Sequence, residues 1–174
     1  MHHQAISQEC ERSRNLMRLM FVGQSPSRET EGLPPFVGKC GRFLAELMST
    51  TQEQMLRDHD FINVLDHWPG TGINGDKWPL TEATVAAQKK LESLRGRTVI
   101  LLGKNVARAF NKGLWRYLEW YEIRSPKNLA DVVVPAVTIV PHPSGCNRFY
   151  NDPEKRIIVG KFLQMLAAKD QHAK

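Results

Sequence analysis

The residue types best suited to chemistry lie in one short segment, residues 141–150. This segment follows a run rich in β-branched residues, 132–140, so His142 is expected just beyond the end of a buried strand, with a proline on either side. Three residues that can donate hydrogen bonds to an anion come next: Ser144, Gly145 and Asn147. They are followed by a positively charged residue, Arg148, and an aromatic residue, Phe149. Positive charge for phosphates and flat rings for bases are typical of nucleic-acid binding. Taken alone, the segment fits a tight turn with a capping serine equally well.

Three further segments with polar residues lie at the ends of predicted strands. An apolar run, 19–22, leads into 23–27 (GQSPS), and 35–41 (PFVGKCG) begins twelve residues after Gly23. The third segment, 61–64 (FINV), lies at the end of another apolar stretch. In sheets of parallel strands, ligands bind beyond the carboxyl ends of the strands. These segments and His142 are therefore expected to converge on one site.

Together with His142-Pro143-Ser144, these segments resemble the motifs of the uracil-DNA glycosylase superfamily, in the same order, from about residue 19 to about residue 166. The spacing is most similar to that of the thermostable bacterial and archaeal branch, whose pattern runs G-E-A-P-G, P-F-V-G-x-A-G, T-N-V and H-P-S. The resemblance implies an enzyme that flips a pyrimidine nucleotide out of DNA, hydrolyses its N-glycosidic bond and leaves an abasic site.

The resemblance also gives roles to three side chains. It implies that Phe36 stacks on the flipped base and that Asn63 reads the edge of the base with its carboxamide. His142, neutral or protonated, would donate to a carbonyl of the departing base as negative charge develops there. Without the resemblance, the three are equally ordinary as a core phenylalanine, an asparagine at a strand end and a histidine in a turn.

The chain departs from the family at the group that activates the attacking water. The thermostable branch has Glu at the position of Gln24, and the classical uracil enzymes have Asp where Ser25 stands. Gln24 can orient a water without acting as a base, as an Asn does in the mismatch-specific branch. Alternatively, a carboxylate reaches the site from a flexible loop, and the candidates are Glu29, Glu31 and Asp66.

Base choice depends on the room beside the 5-position of the pyrimidine. The classical enzymes crowd that position with the Tyr of G-Q-D-P-Y-H, whereas Ser27 follows Pro26 here. The site is therefore expected to admit a pyrimidine enlarged at the 5-position, such as a hydroxymethylated or glycosylated base of phage DNA.

Contacts with DNA are predicted around the site. Ser144, Gly145 and Asn147 are expected to hold phosphates, and Lys39 is expected to bind DNA. Arg148 and Phe149 are expected to fill the space left by the flipped nucleotide. The aromatic cluster at 115–124 is expected to be a helix that packs its rings on the sheet rather than a DNA contact, and the loop 68–78 is expected to be a lid over the substrate.

Composition and charge set broad limits. The 174 residues are expected to form one domain, with an N-terminal arm at 1–17, and 24 Lys and Arg against 18 acidic residues give a net charge of +6. This excess favours a polyanionic partner such as DNA. The sequence has no apolar signal region and no run of the ~20 apolar residues that span a bilayer, so we expect a cytoplasmic monomer that does not bind membranes.

No metal or other cofactor is expected. The three cysteines lie far apart in the sequence, which fits neither a disulfide framework nor a zinc site. The thermostable branch usually carries a four-cysteine iron–sulfur cluster, and His67 stands here at the position of its N-V-V-K-C cysteine.

The order of elements predicts the fold class. Apolar strands at 18–23, 61–65, 98–102 and 132–140 alternate with helices that begin near 39, 81, 105 and 153, and Thr81 is expected to be an N-cap. A further helical arm is expected at 7–15. This alternation predicts an α/β protein: one three-layer α/β/α domain around a central, mainly parallel, four-stranded sheet.

Two other functions are compatible with the same residues. The chain can be a catalytically silent DNA-binding member of the fold, or a hydrolase or transferase of free nucleotides. Release of a base from DNA distinguishes the glycosylase from both.

Overall fold

A computed structural model of the chain describes residues 18–73, 75–110, 113, 116–125, 132–144 and 147–172. In chain order the strands are β1 (Met20–Gly23), β2 (Asp60–Asn63), β3 (Thr71–Gly72), β4 (Gly75–Asp76), β5 (Thr98–Leu102), β6 (Trp120–Arg124) and β7 (Val133–Val140). The helices are α1 (Lys39–Leu47), α2 (Gln52–Asp58), α3 (Leu80–Leu94), α4 (Lys104–Phe110) and α5 (Pro153–His172), and a 3₁₀ turn covers Arg148–Asn151. The predicted arm at 7–15, Trp115 and Gly145 lie outside the described residues.

The central sheet has the strand order β2-β1-β5-β7-β6. The first four strands are parallel and correspond to the four strands predicted from the sequence. The fifth, β6, pairs antiparallel with β7 at the sheet edge. The expectation of a helix at 115–124 was therefore wrong for its second half. Tyr121 and Ile123 face the core there while Trp120, Glu122 and Arg124 are exposed, which is the two-residue period of a strand.

Helices cover both faces of the sheet, as the three-layer prediction requires. Successive strand residues point to opposite faces, so Val22 and Leu101 pack with α3 and α4, whereas Phe21 and Ile100 pack with α1, α2 and α5. The fold class predicted from the alternating strands and helices is thus confirmed. None of the described helices is both long and apolar enough to cross a bilayer.

Two helix starts differ from the prediction. Helix α2 was not predicted; it begins with a capping box in which the Thr51 hydroxyl accepts from the Gln54 backbone, and the Gln54 side chain accepts from the Thr51 backbone. Helix α3 begins one residue before Thr81, with Pro79 at the N-cap position. Thr81 therefore lies in the first turn and is not the cap.

Helix α2 holds the loop that precedes α1. The Gln52 carboxamide donates to the carbonyl oxygens of Phe36, at 2.6 Å, and Gly38, at 3.2 Å. Phe36 has a left-handed backbone, with φ of 65°, a conformation that costs a residue with a side chain about 1–3 kcal/mol. The Phe36 carbonyl also lies against Gly41 so closely that a Cβ there would be 1.7 Å from its oxygen. The left-handed backbone at Phe36 is thus held by the hydrogen bond from Gln52, and it fits because Gly41 has no side chain.

This close approach predicts the effect of a methyl group at Gly41. Alanine is favoured over glycine by about 1 kcal/mol in an ordinary helix interior, but here its Cβ collides with backbone. Gly41→Ala is expected to lower the free energy of unfolding by about 1–3 kcal/mol, measured by urea denaturation. Arg42→Ala, at the exposed next position of α1, is the control and should stay near the wild type. A Gly41→Ala protein as stable as the wild type would contradict the contact.

Candidate active site

A cleft of about 480 Å³ opens at the carboxyl ends of the parallel strands. This volume lies in the range of small-molecule sites, about 300–1,000 Å³. Its walls include most of the residues that the sequence singled out: Gln24, Ser25, Ser27, Phe36, Lys39, Asn63, His142 and Ser144. Segments separated by more than a hundred positions in the chain thus converge on one site.

Phe36 and Asn63 both lie against the backbone of Gly23, at the end of β1. A Cβ built on Gly23 would lie 2.5 Å from the Asn63 Oδ1 atom and 2.6 Å from the Phe36 Cζ atom. Glycine is required at that position because the ring and the carboxamide both approach its backbone. The Phe36 ring also packs on Phe61 at a centroid distance of 5.3 Å. A flat apolar surface and an amide that can donate and accept therefore lie side by side.

The Asn63 carboxamide is available to a ligand. Its backbone carbonyl accepts from the Lys90 Nζ atom at 2.7 Å, which fixes the end of β2. Among the described residues, none forms a hydrogen bond with the side-chain amide, although the residue is 9% exposed. Buried polar groups are normally hydrogen-bonded, so the amide is suited to a polar partner that enters the cleft.

The loop after β7 holds His142 through its backbone. The His142 carbonyl accepts from the Ser144 backbone and from the Asn147 side chain, each at 2.9 Å. The Tyr150 hydroxyl donates to the Pro141 carbonyl at 2.7 Å. On the other side Gly103, with φ of 99°, approaches so closely that a Cβ there would lie 3.0 Å from the His142 Cβ atom.

The imidazole of His142 is neutral near pH 7. Burial lowers its pKa to about 4, and the negative charge of Asp76 opposes this effect without overcoming it. A neutral imidazole keeps one N–H donor and one acceptor nitrogen. The ring can therefore donate a hydrogen bond to a developing oxyanion without carrying a charge itself.

The three carboxylates that the sequence proposed for the site differ in their position relative to the cleft. Glu29 lines the cleft, whereas the Glu31 carboxylate accepts from the Trp68 backbone at 3.0 Å. Asp66 is not among the residues that line the cleft. Its carboxylate is exposed and pairs with the Lys90 Nζ atom at 2.6 Å.

Asp76 lines the cleft and was missed by the sequence analysis. It lies on β4, in a short antiparallel pairing with β3 inside the segment that was predicted to be an irregular lid. The Asn-Gly sequence at 74–75 is the signal that could have found it, because this dipeptide is typical of hairpin turns.

Two residues predicted to contact DNA have side chains that bond or pack within the protein instead. The Asn147 carboxamide donates to the His142 carbonyl and accepts from the Phe149 backbone, so it organises the loop. The Phe149 ring packs between Tyr117 and Tyr150, each at a centroid distance of 5.5 Å. Of the pair expected to fill the space of a flipped nucleotide, Arg148 is exposed and Phe149 is packed.

The low pKa of His142 is directly measurable. The His142 ring protons, assigned with His142→Gln, should titrate near pH 4 by NMR rather than near the usual 6.5. Since the unfolded chain takes up this proton at higher pH, the free energy of unfolding should fall as the pH drops from about 6.5 to about 4. Burial also lowers the pKa of His59, so the protonation of His59 at low pH reduces the free energy of unfolding as well. Titration of His142 near 6.5 would contradict its burial.

Comparison with known families agrees with this geometry. The family model described as the uracil DNA glycosylase superfamily matches residues 13–166, which covers all four motif segments of the cleft. No curated protein matches the chain. Members of the family are generally DNA glycosylases. The chain belongs to the uracil-DNA glycosylase superfamily.

Proposed function

We propose that this protein is a DNA glycosylase that excises uracil, or a pyrimidine enlarged at the 5-position, and leaves an abasic site. One observation carries the proposal: Gln24, Phe36, Asn63 and His142 line a single cleft at the carboxyl ends of the strands. These residues come from four separate segments of a chain that belongs to a family of such enzymes. The proposal needs no cofactor.

Binding of the base uses Phe36 and Asn63, which both line the cleft and lie against Gly23. The Phe36 ring offers a stacking surface, and stacking on an aromatic side chain contributes about 1–3 kcal/mol per base. The adjacent Asn63 amide can pair with a donor and an acceptor on the base edge. This arrangement supports a pyrimidine flipped out of the DNA stack, because neither the Watson–Crick edge nor the face of a base is reachable inside a duplex.

Cleavage transfers the electron pair of the C1′–N1 bond to the departing base. Negative charge then develops on the base, and the neutral His142 imidazole can donate a hydrogen bond to its carbonyl oxygen. One preorganised donor of this kind contributes about 10²–10³ in rate. Gln24 and Ser25, at the end of β1, are suited to orient a water but are not bases.

Room for a substituent depends on Ser27. The Ser27 hydroxyl and the Thr30 hydroxyl are 3.0 Å apart and hydrogen-bonded, so the short side chain is held by its own turn. The residue lines the cleft without a ring that would fill it. This supports a substrate that carries a group at the 5-position, including the modified pyrimidines of phage DNA.

Positive charge near the cleft suits a DNA backbone. Lys39 and Arg28 line the cleft and are exposed, and Arg148 is exposed on the 3₁₀ turn that follows the His142 loop. The Arg28 guanidinium also lies 5.9 Å from the Trp68 ring centroid. These positions fit phosphates on either side of a flipped nucleotide.

The first test of this function is base release. DNA that contains uracil, 5-hydroxymethyluracil or a glycosylated pyrimidine should yield alkali-labile sites and free base at enzyme excess. His142→Ala should slow the single-turnover rate by about 100-fold or more, with DNA affinity nearly unchanged, because the donor acts on leaving-group charge. His67→Ala is the control, since His67 is exposed and pairs with Glu82 instead of lining the cleft.

Other outcomes distinguish the alternatives. DNA binding without release of any base would support a catalytically silent member of the family. Turnover of free nucleotides without action on DNA would support the nucleotide hydrolase or transferase.

A second test concerns the 5-position. Ser27→Tyr should suppress excision of the enlarged base far more than excision of uracil, because the added ring collides only with the substituent. Single-turnover rates on both bases, for wild type and variant, measure the effect. Equal loss on both bases, or a wild type that releases uracil alone, would show that Ser27 does not control base size.

A further inference from the structure

The strand pair β3–β4 places a carboxylate in the cleft. Asp76 pairs with Thr71 across the two strands, and both residues line the same cleft as His142. The pair stands on a segment between β2 and α3 that the family motifs do not include. Asp76 therefore comes from a different segment of the chain than Gln24 and Ser25.

A tryptophan orients the Asp76 carboxylate. The Trp68 indole donates from its Nε1 atom to the Asp76 Oδ1 atom at 2.9 Å. The Trp68 backbone in turn donates to Glu31, and Arg28 lies against its ring, so the loop after β1 holds the tryptophan in place. Among the described residues, none donates to the second Asp76 oxygen, and the side chain is exposed to the cleft. One oxygen is thus fixed and the other is open to water.

Asp76 also lies close enough to His142 for their charges to interact. In a bound pyrimidine nucleoside, the base carbonyl at His142 and the sugar carbon C1′ are close together. We take the carbonyl that accepts from His142 to be O2, which is attached to the ring carbon next to N1, and N1 carries the sugar carbon C1′. Asp76 lines the same cleft as the imidazole assigned to the base carbonyl, so its carboxylate lies in the site where water must attack C1′ and where positive charge develops.

We propose that Asp76 is a catalytic residue of the glycosylase, supplying from the β3–β4 strand pair the carboxylate that the motif after β1 lacks. The inference rests on the proposed function. As the C1′–N1 bond breaks, its electron pair goes to the base, whose carbonyl accepts a hydrogen bond from His142. Water forms the new O–C1′ bond and its proton passes to the open Asp76 oxygen. Before that transfer the carboxylate stabilises the positive charge on the sugar.

The other charged groups of the cleft fit this role less well. Lys39 and Arg28 are cations. Glu29 is the other carboxylate among the described lining residues and is exposed like Asp76, but none of the described residues donates to it. Preorganisation distinguishes Asp76, because Trp68 fixes its orientation before substrate binds.

The test compares matched variants in single-turnover excision of the best substrate in the panel. Asp76→Asn should reduce the rate by about 100-fold or more, the usual range for a general base, while DNA affinity stays within a few-fold. Asp58→Asn, at an exposed position of α2 that does not line the cleft, is the control and should stay near the wild-type rate. Trp68→Phe, which keeps the ring but removes the donor, should lie between Asp76→Asn and the wild type.

A rescue experiment separates chemistry from structure. Asp76→Ala should regain part of its rate when sodium formate is added, whereas the same concentration of sodium chloride should not restore it. A merely structural role for Asp76 would give no rescue by formate and would overturn the proposal. An active wild type with an equally active Asp76→Asn variant would overturn the proposal and leave the proposed function intact. A wild type that releases no base from any substrate would overturn both.

Discussion

The contact between Gly23, Phe36 and Asn63 is the constraint on which the site depends. The ring and the carboxamide can lie together only because Gly23 has no side chain, and the ring reaches that place only because the Phe36 backbone is left-handed. The Gln52 amide and the missing side chain at Gly41 hold that strained backbone. Core packing of α1 and α2 against the sheet provides the rigidity, so the atoms that stabilise the fold also hold the proposed base-binding residues.

The fold and the principal cleft residues could be predicted from the sequence, because both follow from short local patterns. Apolar strands alternating with amphipathic helices specify a covered parallel sheet, and polar residues at the strand ends meet at one edge. Strand β6 was missed because the aromatic residues at 115–121 were interpreted as one face of a helix, although aromatic residues are enriched in strands and residues 120–124 alternate as a strand does. The pairing with β7, which is a contact between distant residues, fixes this strand at the sheet edge.

The remaining details of the site depend on interactions that a linear pattern does not contain. The roles of Asn147 and Phe149 depend on hydrogen bonds and ring contacts within the loop after β7, and these turn both side chains inward. Asp76 enters the cleft through a strand pair of two residues a side, too short to leave a periodic signal. The neutrality of His142 comes from burial by the folded chain.

The central claim is that this cleft receives a pyrimidine rotated out of DNA. The most direct measurement is a structure of the protein bound to a DNA duplex that carries a 2′-fluoroarabino pyrimidine, in which the fluorine opposes positive charge on the sugar and prevents cleavage. We expect the base outside the helix, with its face on the Phe36 ring, its edge on the Asn63 amide and its carbonyl oxygen at His142. A base that stays stacked in the duplex while the protein is bound, with the cleft turned away from the DNA, would contradict it.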